Sequence, residues 1–81
     1  MDPKIHLKIQ SRESTLFEGE AYGVSSLNDI GPFDILPMHE NFISMIREKI
    51  IIHDRNTDKE MKIDSGLLKA NNNQVNIYLG I

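Results

Sequence analysis

The sequence contains no cysteine and no tryptophan, and both absences exclude classes of function. Without cysteine the chain can form no disulfide, no thiolate metal site and no cysteine nucleophile, and a small fold without disulfides is typical of a reducing compartment. Aromatic residues make up only 6% of the sequence, which disfavours a surface that stacks on nucleobases or sugars.

Positive charge and long apolar runs are also scarce. Nine lysines and arginines stand against twelve aspartates and glutamates, a net charge of −3, whereas nucleic-acid-binding domains usually present a basic face. The longest apolar runs, such as residues 50–52, are far shorter than the ~20 residues of a membrane-spanning helix. Asp2 and Lys4 interrupt any apolar stretch of a signal peptide at the N-terminus. We therefore expect no nucleic-acid partner and no direct insertion into a membrane.

The chain has the size and the apolar content of one small folded domain. It has 81 residues, of which 40% are apolar and 26% charged, so intrinsic disorder is not expected. A domain of this size buries only about 60–65% of the surface of its unfolded chain. We predict a single domain over residues 1–81, of marginal stability, that gains from contact with a partner.

Alternating apolar residues predict strands at both ends of the chain. Ile5, Leu7 and Ile9 alternate with polar residues in one segment, and residues 74–79 repeat the pattern. Between them, short β-prone stretches are separated by turn signals, among them a predicted loop over residues 27–32, a polar loop over 54–60 and an asparagine turn over 71–73. Many short strands at this spacing predict an all-β sandwich or barrel.

The segment from residue 38 to residue 52 is ambiguous. Phe42, Ile43, Ile46 and Ile50 recur at helical spacing, whereas the three isoleucines of residues 50–52 favour a strand. The spacing alone gives a helix and a pair of strands about equal weight.

Catalytic chemistry has little support in the sequence. The only histidines are His6, His39 and His53, which lack the spacing of a helical metal pair, so a three-histidine site is a minor alternative. A serine triad could be written from Ser44, His39 and Asp34, but no nucleophile elbow accompanies it. Phosphate-binding glycine loops are absent from the sequence as well. An interaction module is the stronger reading, with a generic all-β binding domain and a small hydrolase based on His39 as alternatives.

Four ordered motifs resemble a known family. They are FEGEA at residues 17–21, GPFDILPMH at 31–39, SGLLKA at 65–70 and NNNQVNI at 71–77. Together they are similar to the N-terminal β-sandwich domain of the epsilon subunit of bacterial rotary ATP synthases, from about residue 4 to residue 79. Departures from the family pattern include Asp34, Met38 and Ser65 in place of glycine, and Pro32 in place of an acid.

The resemblance implies a two-layer β-sandwich of short, mostly antiparallel strands, with strands rather than one helix between His39 and His53. It also implies a non-catalytic central-stalk subunit that binds the γ subunit and the c ring and couples proton flow to ATP synthesis. By position, Ser11, His39 and Ser44 match the γ-facing surface. The loop that faces the c ring is matched by Asn28, Asp29, Ile30, Gly31 and Pro32.

Family members commonly continue into a C-terminal helical hairpin, for which this sequence has no counterpart after Leu79. We therefore expect no bound nucleotide and no other cofactor, whether the chain is an excised domain or a naturally short form. The resemblance places it at the cytoplasmic face of the bacterial inner membrane, held there by the other subunits.

Overall fold

The computed structural model describes residues 3–80, and the strands within them form one continuous seven-stranded sheet. The strands are β1 (Ile5–Gln10), β2 (Thr15–Ala21), β3 (Gly23–Asn28), β4 (Gly31–Ile35), β5 (Phe42–His53), β6 (Asp58–Asn71) and β7 (Gln74–Leu79). Their order across the sheet is β2-β1-β7-β6-β5-β3-β4. Only β1 and β7 pair in parallel, and every other neighbouring pair is antiparallel. The predicted all-β class is confirmed.

The long strands β5 and β6 carry the chain from one layer of the sandwich to the other. The C-terminal half of β6 pairs with β7, which leads to β1 and β2, whereas the C-terminal half of β5 pairs with β3, which leads to β4. The β5–β6 register shifts between Arg47 and Glu48, which leaves Asp64 as an extra residue in β6. Glu48 has a φ of 73° at this bulge. Because bulges increase local bend and twist, the sheet folds over here into two facing layers.

The apolar faces of both layers meet in one core. β1 and β7 bury alternate side chains, as the sequence pattern predicts. The fully buried large side chains come from both layers and include Ile5, Leu7, Ile9, Val24, Ile35, Ile46, Ile50, Leu68, Val75 and Ile77. Burial of such side chains supplies about 1.5–3 kcal/mol each toward folding. The core therefore holds the two layers together and leaves their outer faces available for contacts.

Segment 38–52 contains one strand, so the expectation of a strand pair was wrong, as was the helical alternative. β5 runs without interruption from Phe42 to His53. Along this strand, the polar residues Ser44 and Glu48 alternate at every second position with apolar ones. The apolar residues Phe42, Ile46 and Ile50 are therefore four positions apart, a spacing that resembles that of a helix. The structure contains no helix within residues 3–80, and so none there that could span a membrane.

Two turn predictions have different outcomes. The asparagine turn is confirmed, because β6 ends at Asn71 and β7 begins at Gln74, with φ of 52° and 62° at Asn72 and Asn73. Asparagine tolerates this left-handed region better than most residues. The predicted loop over 54–60 is shorter than expected, because β6 already begins at Asp58.

Candidate functional site

The predicted loop over residues 28–32 is a tight β-hairpin, which corrects the sequence-based expectation. Asn28 ends β3, Gly31 and Pro32 begin β4, and only Asp29 and Ile30 lie in the turn. The side-chain oxygen of Asn28 accepts hydrogen bonds from the backbone N–H of Ile30 at 2.9 Å and of Gly31 at 3.2 Å. An asparagine that bonds its own chain two residues on stabilises a turn without a long loop.

The hairpin presents apolar side chains to solvent. Ile30 is 97% exposed at its tip, and Ile43 and Met45 are 64% and 55% exposed on the outer face of β5. These three residues line one shallow depression together with Asn28, Asp29 and Ser44. We call Ile30, Ile43 and Met45 the hairpin patch. Contiguous apolar exposure rimmed by polar residues is typical of a protein-binding surface.

Of the residues matched to a γ-facing surface, only Ser44 lies beside the hairpin. The side-chain nitrogen of Asn28 donates to Ser44 Oγ at 3.2 Å, and Ser44 Oγ donates to the carbonyl of Met45 at 2.9 Å. Ser44 therefore connects the two groups of residues that the family resemblance places on different partners.

Ser11 and His39 lie at opposite ends of the layer that contains β1. Ser11 follows the last residue of β1 and caps the turn to β2, where its Oγ accepts from the backbone N–H of Ser14 at 3.3 Å. His39 follows β4 near Asn73, whose carbonyl accepts from the backbone N–H of His6 at the start of β1. The structure thus does not bring Ser11 and His39 together.

His39 belongs to an exposed corner with an unusual backbone. Met38 has a φ of 69°, and its backbone N–H donates to Asn73 Oδ1 at 2.6 Å. The His39 ring meets the edge of the Phe42 ring, with centroids 5.8 Å apart. Met38 occupies a left-handed position that glycine adopts at little cost, so the side chain of Asn73 stabilises a turn for which the family pattern provides a glycine.

The histidine sites considered from the sequence do not form. His39 Nδ1 contacts the Glu40 carbonyl at 2.8 Å, Ser44 bonds within its own strand, and Asp34 accepts from Ser25 instead. Ser44, His39 and Asp34 therefore make no triad. Within residues 3–80 no cluster of three or more histidine and acidic side chains is placed to hold a metal ion.

A polar chain that the sequence analysis missed crosses the outer face of the other layer. Ser25 Oγ donates to Asp34 Oδ1 and lies 2.6 Å from His53 Nε2, while His53 Nδ1 lies 2.9 Å from Asp58 Oδ1. These residues come from four different strands. Their separation along the chain hides them, and the only sequence signal is a polar residue at each outward position.

The polar chain has the connectivity of a serine triad without its chemistry. The Ser25 hydroxyl is shared between Asp34 and His53 rather than held by the ring alone. β3 pairs with β4 on one side and with β5 on the other, an interior position of the sheet, whereas an oxyanion needs backbone N–H groups that are free of the ladder. An open concavity of about 260 Å³ beside it is lined by four apolar and four polar residues. The arrangement binds strands together rather than activating a nucleophile.

A second polar contact closes the end of the sandwich near His53. Arg55, in the β5–β6 turn, donates through Nε and Nη2 to Tyr22 Oη at 3.0 and 2.8 Å. These hydrogen bonds raise the pKa of the Arg55 guanidinium above its ordinary value. The backbone N–H of Tyr22 also donates to the His53 carbonyl at 2.8 Å. Both contacts join the β2–β3 corner to β5 and its turn.

The described surface therefore offers exposed apolar and polar faces for contact with another protein. Its most exposed apolar residue lies on a hairpin held by side-chain bonds, and its polar chain links strands.

Comparison with known proteins agrees with the geometry. Residues 4–79 match the family described as ATP synthase, delta/epsilon chain, beta-sandwich domain. An ATP synthase epsilon chain from Clostridium novyi is 36% identical over 71 residues, which cover 85% of this chain and 54% of that protein.

Solved structures share the fold at low sequence identity. A chain in the cryo-EM structure of the Euglena gracilis mitochondrial ATP synthase, comprising OSCP, F1 and c-ring, has a TM-score of 0.87 and 14% identity, over 94% of this chain and 50% of that one. A chain in the central stalk and c-ring of the Tetrahymena thermophila enzyme has a TM-score of 0.81 and 8% identity, over 99% of this chain and 66% of that one.

The chain thus spans about half to two thirds of the length of these relatives. Its match to the family covers all seven strands, from the residue before β1 to the end of β7. This chain belongs to the family of ATP synthase delta/epsilon beta-sandwich domains.

Proposed function

We propose that the chain is the sandwich domain of a rotor subunit in a proton-translocating ATP synthase, where it binds the γ subunit and the c ring. Family membership supports this role, and the observation that carries it is the hairpin patch. A coupling subunit needs complementary contact area rather than activated side chains. An exposed apolar tip on a short hairpin fits that requirement.

The hairpin is the proposed contact with the c ring. Asn28 holds the turn, so Ile30 reaches solvent from a defined backbone rather than from a mobile loop. Asp29 beside it supplies a negative charge to polar or basic loops of the ring. Preorganised apolar anchors lose less side-chain and loop entropy on binding.

The γ contact is proposed for the face that begins at the hairpin and continues along β5 to the His39 corner. Ser44 lies at the hairpin, and Phe42 connects this part of β5 to His39 through ring contact. Ser11 follows the end of β1, and β7 and β6 lie between β1 and β5. β1 and β5 are therefore separated by three strand spacings of about 4.8 Å each. A γ partner that contacts all three residues must therefore extend across the whole layer.

On this proposal the domain makes and breaks no bond. It transmits torque between γ and the ring, holds no nucleotide and remains peripheral at the cytoplasmic face of the bacterial inner membrane through the other subunits. The polar chain at Ser25 does not favour the hydrolase alternative, because it joins four strands on an outer face and Ser25 lies on a strand that is paired on both sides.

Binding measurements with matched variants test the proposal. The reagent is a purified complex of γ and the c ring from the same organism, titrated with the 81-residue chain. We expect saturable binding that Ile30→Asp weakens more than about tenfold, the loss of one interface anchor residue. Leu16→Asp is the control, because Leu16 is 49% exposed on β2, away from the hairpin patch.

Two results would count against the proposal. One is no binding of the unaltered chain to the γ–ring complex. The other is equal loss for Ile30→Asp and Leu16→Asp, which would mean that added charge anywhere on the sandwich weakens the complex.

A further inference from the structure

Four side chains on the outer face of β4, β3, β5 and β6 form one hydrogen-bonded chain in the order Asp34, Ser25, His53, Asp58. Ser25 Oγ donates to Asp34, Ser25 Oγ and His53 Nε2 are 2.6 Å apart, and His53 Nδ1 and Asp58 Oδ1 are 2.9 Å apart. The side chain of His53 is 30% exposed and that of Asp58 60%. The ring is therefore partly shielded, while its carboxylate partner reaches water.

Counting donors fixes the charge state that completes the chain. Ionised carboxylates only accept hydrogen bonds, and a serine hydroxyl has one proton to donate. If that proton goes to Asp34, Ser25 must accept from His53 Nε2–H, and Asp58 must accept from His53 Nδ1–H. Both ring nitrogens are then donors, a condition that only the imidazolium form meets.

We propose that these four residues form a proton-operated latch that is complete when His53 is an imidazolium and releases Asp34 when the ring becomes neutral. A neutral ring keeps one N–H, which stays on Nδ1 because the carboxylate of Asp58 is the charged acceptor. Nε2 then becomes an acceptor, and the Ser25 hydroxyl turns to it from Asp34. Because Asp34 is exposed, water replaces the lost bond at its carboxylate.

Release of Asp34 acts on the edge of the sheet. β4 has five residues and pairs only with β3, so it is the edge strand of its layer. The Ser25–Asp34 bond connects two directly paired positions of these strands. Its loss loosens β4, which also carries one side of the 28–31 hairpin. The test of the latch uses the chain alone, and its outcome does not depend on whether the chain has a rotor role.

Other charged groups lie on or beside this face and contribute to any pH dependence. On β5, Lys49 lines the concavity beside Ser25 and Asp34. On β6, Glu60 pairs with Ile51 and Lys62 with Lys49. At the end of the layer, Tyr22, Arg55 and Asp54 lie around the β5–β6 turn.

NMR of the ring nitrogens reads the latch directly in the unaltered chain. Long-range ¹H–¹⁵N spectra are recorded between about pH 5.5 and 8, where histidines change charge. We expect His53 to change from imidazolium to the Nδ1–H tautomer, and the Asp34 carboxylate carbon to shift in the same step. An Nε2–H tautomer at the high end, or an Asp34 signal that ignores the His53 step, overturns the latch.

Urea unfolding of variants provides a second readout. Ser25→Ala removes the central link and is expected to lower the folding equilibrium constant about tenfold near pH 5.5 but only about threefold near pH 8, because hydrogen bonds to charged groups are the stronger ones. Ser65→Ala, at an exposed position of β6, is the matched control, with less than about a twofold change at either pH. In a His53→Gln background the effect of Ser25→Ala should no longer depend on pH. An equal loss at both pH values overturns the proposal.

Discussion

At the scale of single residues, Gly66 is a position where the sandwich leaves no room for a side chain. A Cβ atom there would lie 2.8 Å from Leu79 Cδ2 and 2.9 Å from the Tyr78 carbonyl oxygen. The carbonyl belongs to the backbone of β7, which pairs with β6 at this point and cannot turn away as a flexible side chain can.

Gly66→Ala should therefore lower the free energy of unfolding by about 1–3 kcal/mol, the usual cost of overpacking. Urea denaturation measures this change in the free energy of unfolding. Gly19→Ala is the control, since its nearest neighbour would be the Phe17 ring at 3.7 Å, an ordinary contact. Equal stability of the two variants would contradict the close approach of β6 and β7.

Residues in alternating patterns were predictable, and residues that meet across strands were not. Ile5, Leu7 and Ile9 are buried as their spacing predicts. Ser26 is a buried polar residue whose hydroxyl donates to the Lys49 carbonyl at 2.7 Å, opposite the irregular β3–β5 register. Nothing in the local sequence identifies that partner, because it depends on the way β5 passes β3.

At the scale of elements, the 28–32 hairpin owes its shape to one side chain. Asn28 accepts from two backbone N–H groups of the turn and donates to Ser44 on β5. A loop was predicted here because turn-forming residues cluster, but the sequence does not reveal that β3 and β4 extend into that cluster.

Asn28→Ala should destabilise the chain by about 1–2 kcal/mol, the cost of a few partly exposed hydrogen bonds. Amide exchange at Ile30 and Gly31 should become faster relative to exchange in β1. Asn41→Ala, at an exposed position before β5, is the control. Unchanged exchange at the turn would show that the hairpin holds its shape without Asn28.

The bulge between β5 and β6 explains why the middle of the chain was hard to interpret. Asp64 is an extra residue in β6, so the inward positions change from Met61 and Ile63 to Gly66 and Leu68. A simple period of two cannot continue through such a site. The sequence therefore predicted strands at the two ends of the chain better than in the middle.

Glu48→Gly should leave the free energy of unfolding unchanged or raise it by up to about 1 kcal/mol, because a left-handed φ costs an L-residue about that much. The φ of Glu48 is 73°. Lys69→Gly, in the regular part of β6, should instead lower it by about 0.5–1 kcal/mol. Thermal or urea unfolding compares the two, and a larger loss at Glu48 would contradict the bulge geometry.

At the scale of the whole molecule, a single folded sheet leaves two outer faces exposed for contact with partners. The hairpin patch continues along β5 on one side, and the polar chain from Asp34 to Asp58 lies on the other. The family could be identified from ordered motifs, because these follow the strand ends that shape the sandwich. The distribution of contacts over the surface of the sandwich could not be predicted from the sequence, because it depends on which strands become neighbours.

The absence of cysteine makes the central claim directly testable by site-specific cross-linking. Ile30→Cys and Leu16→Cys are introduced separately and each variant is assembled into the ATP synthase of the source organism, then treated with a short photoactivatable thiol cross-linker. The account predicts that the Ile30→Cys variant captures a c-ring subunit and the Leu16→Cys variant does not. Capture of the ring from position 16 alone, or failure of the chain to enter the complex, would contradict it.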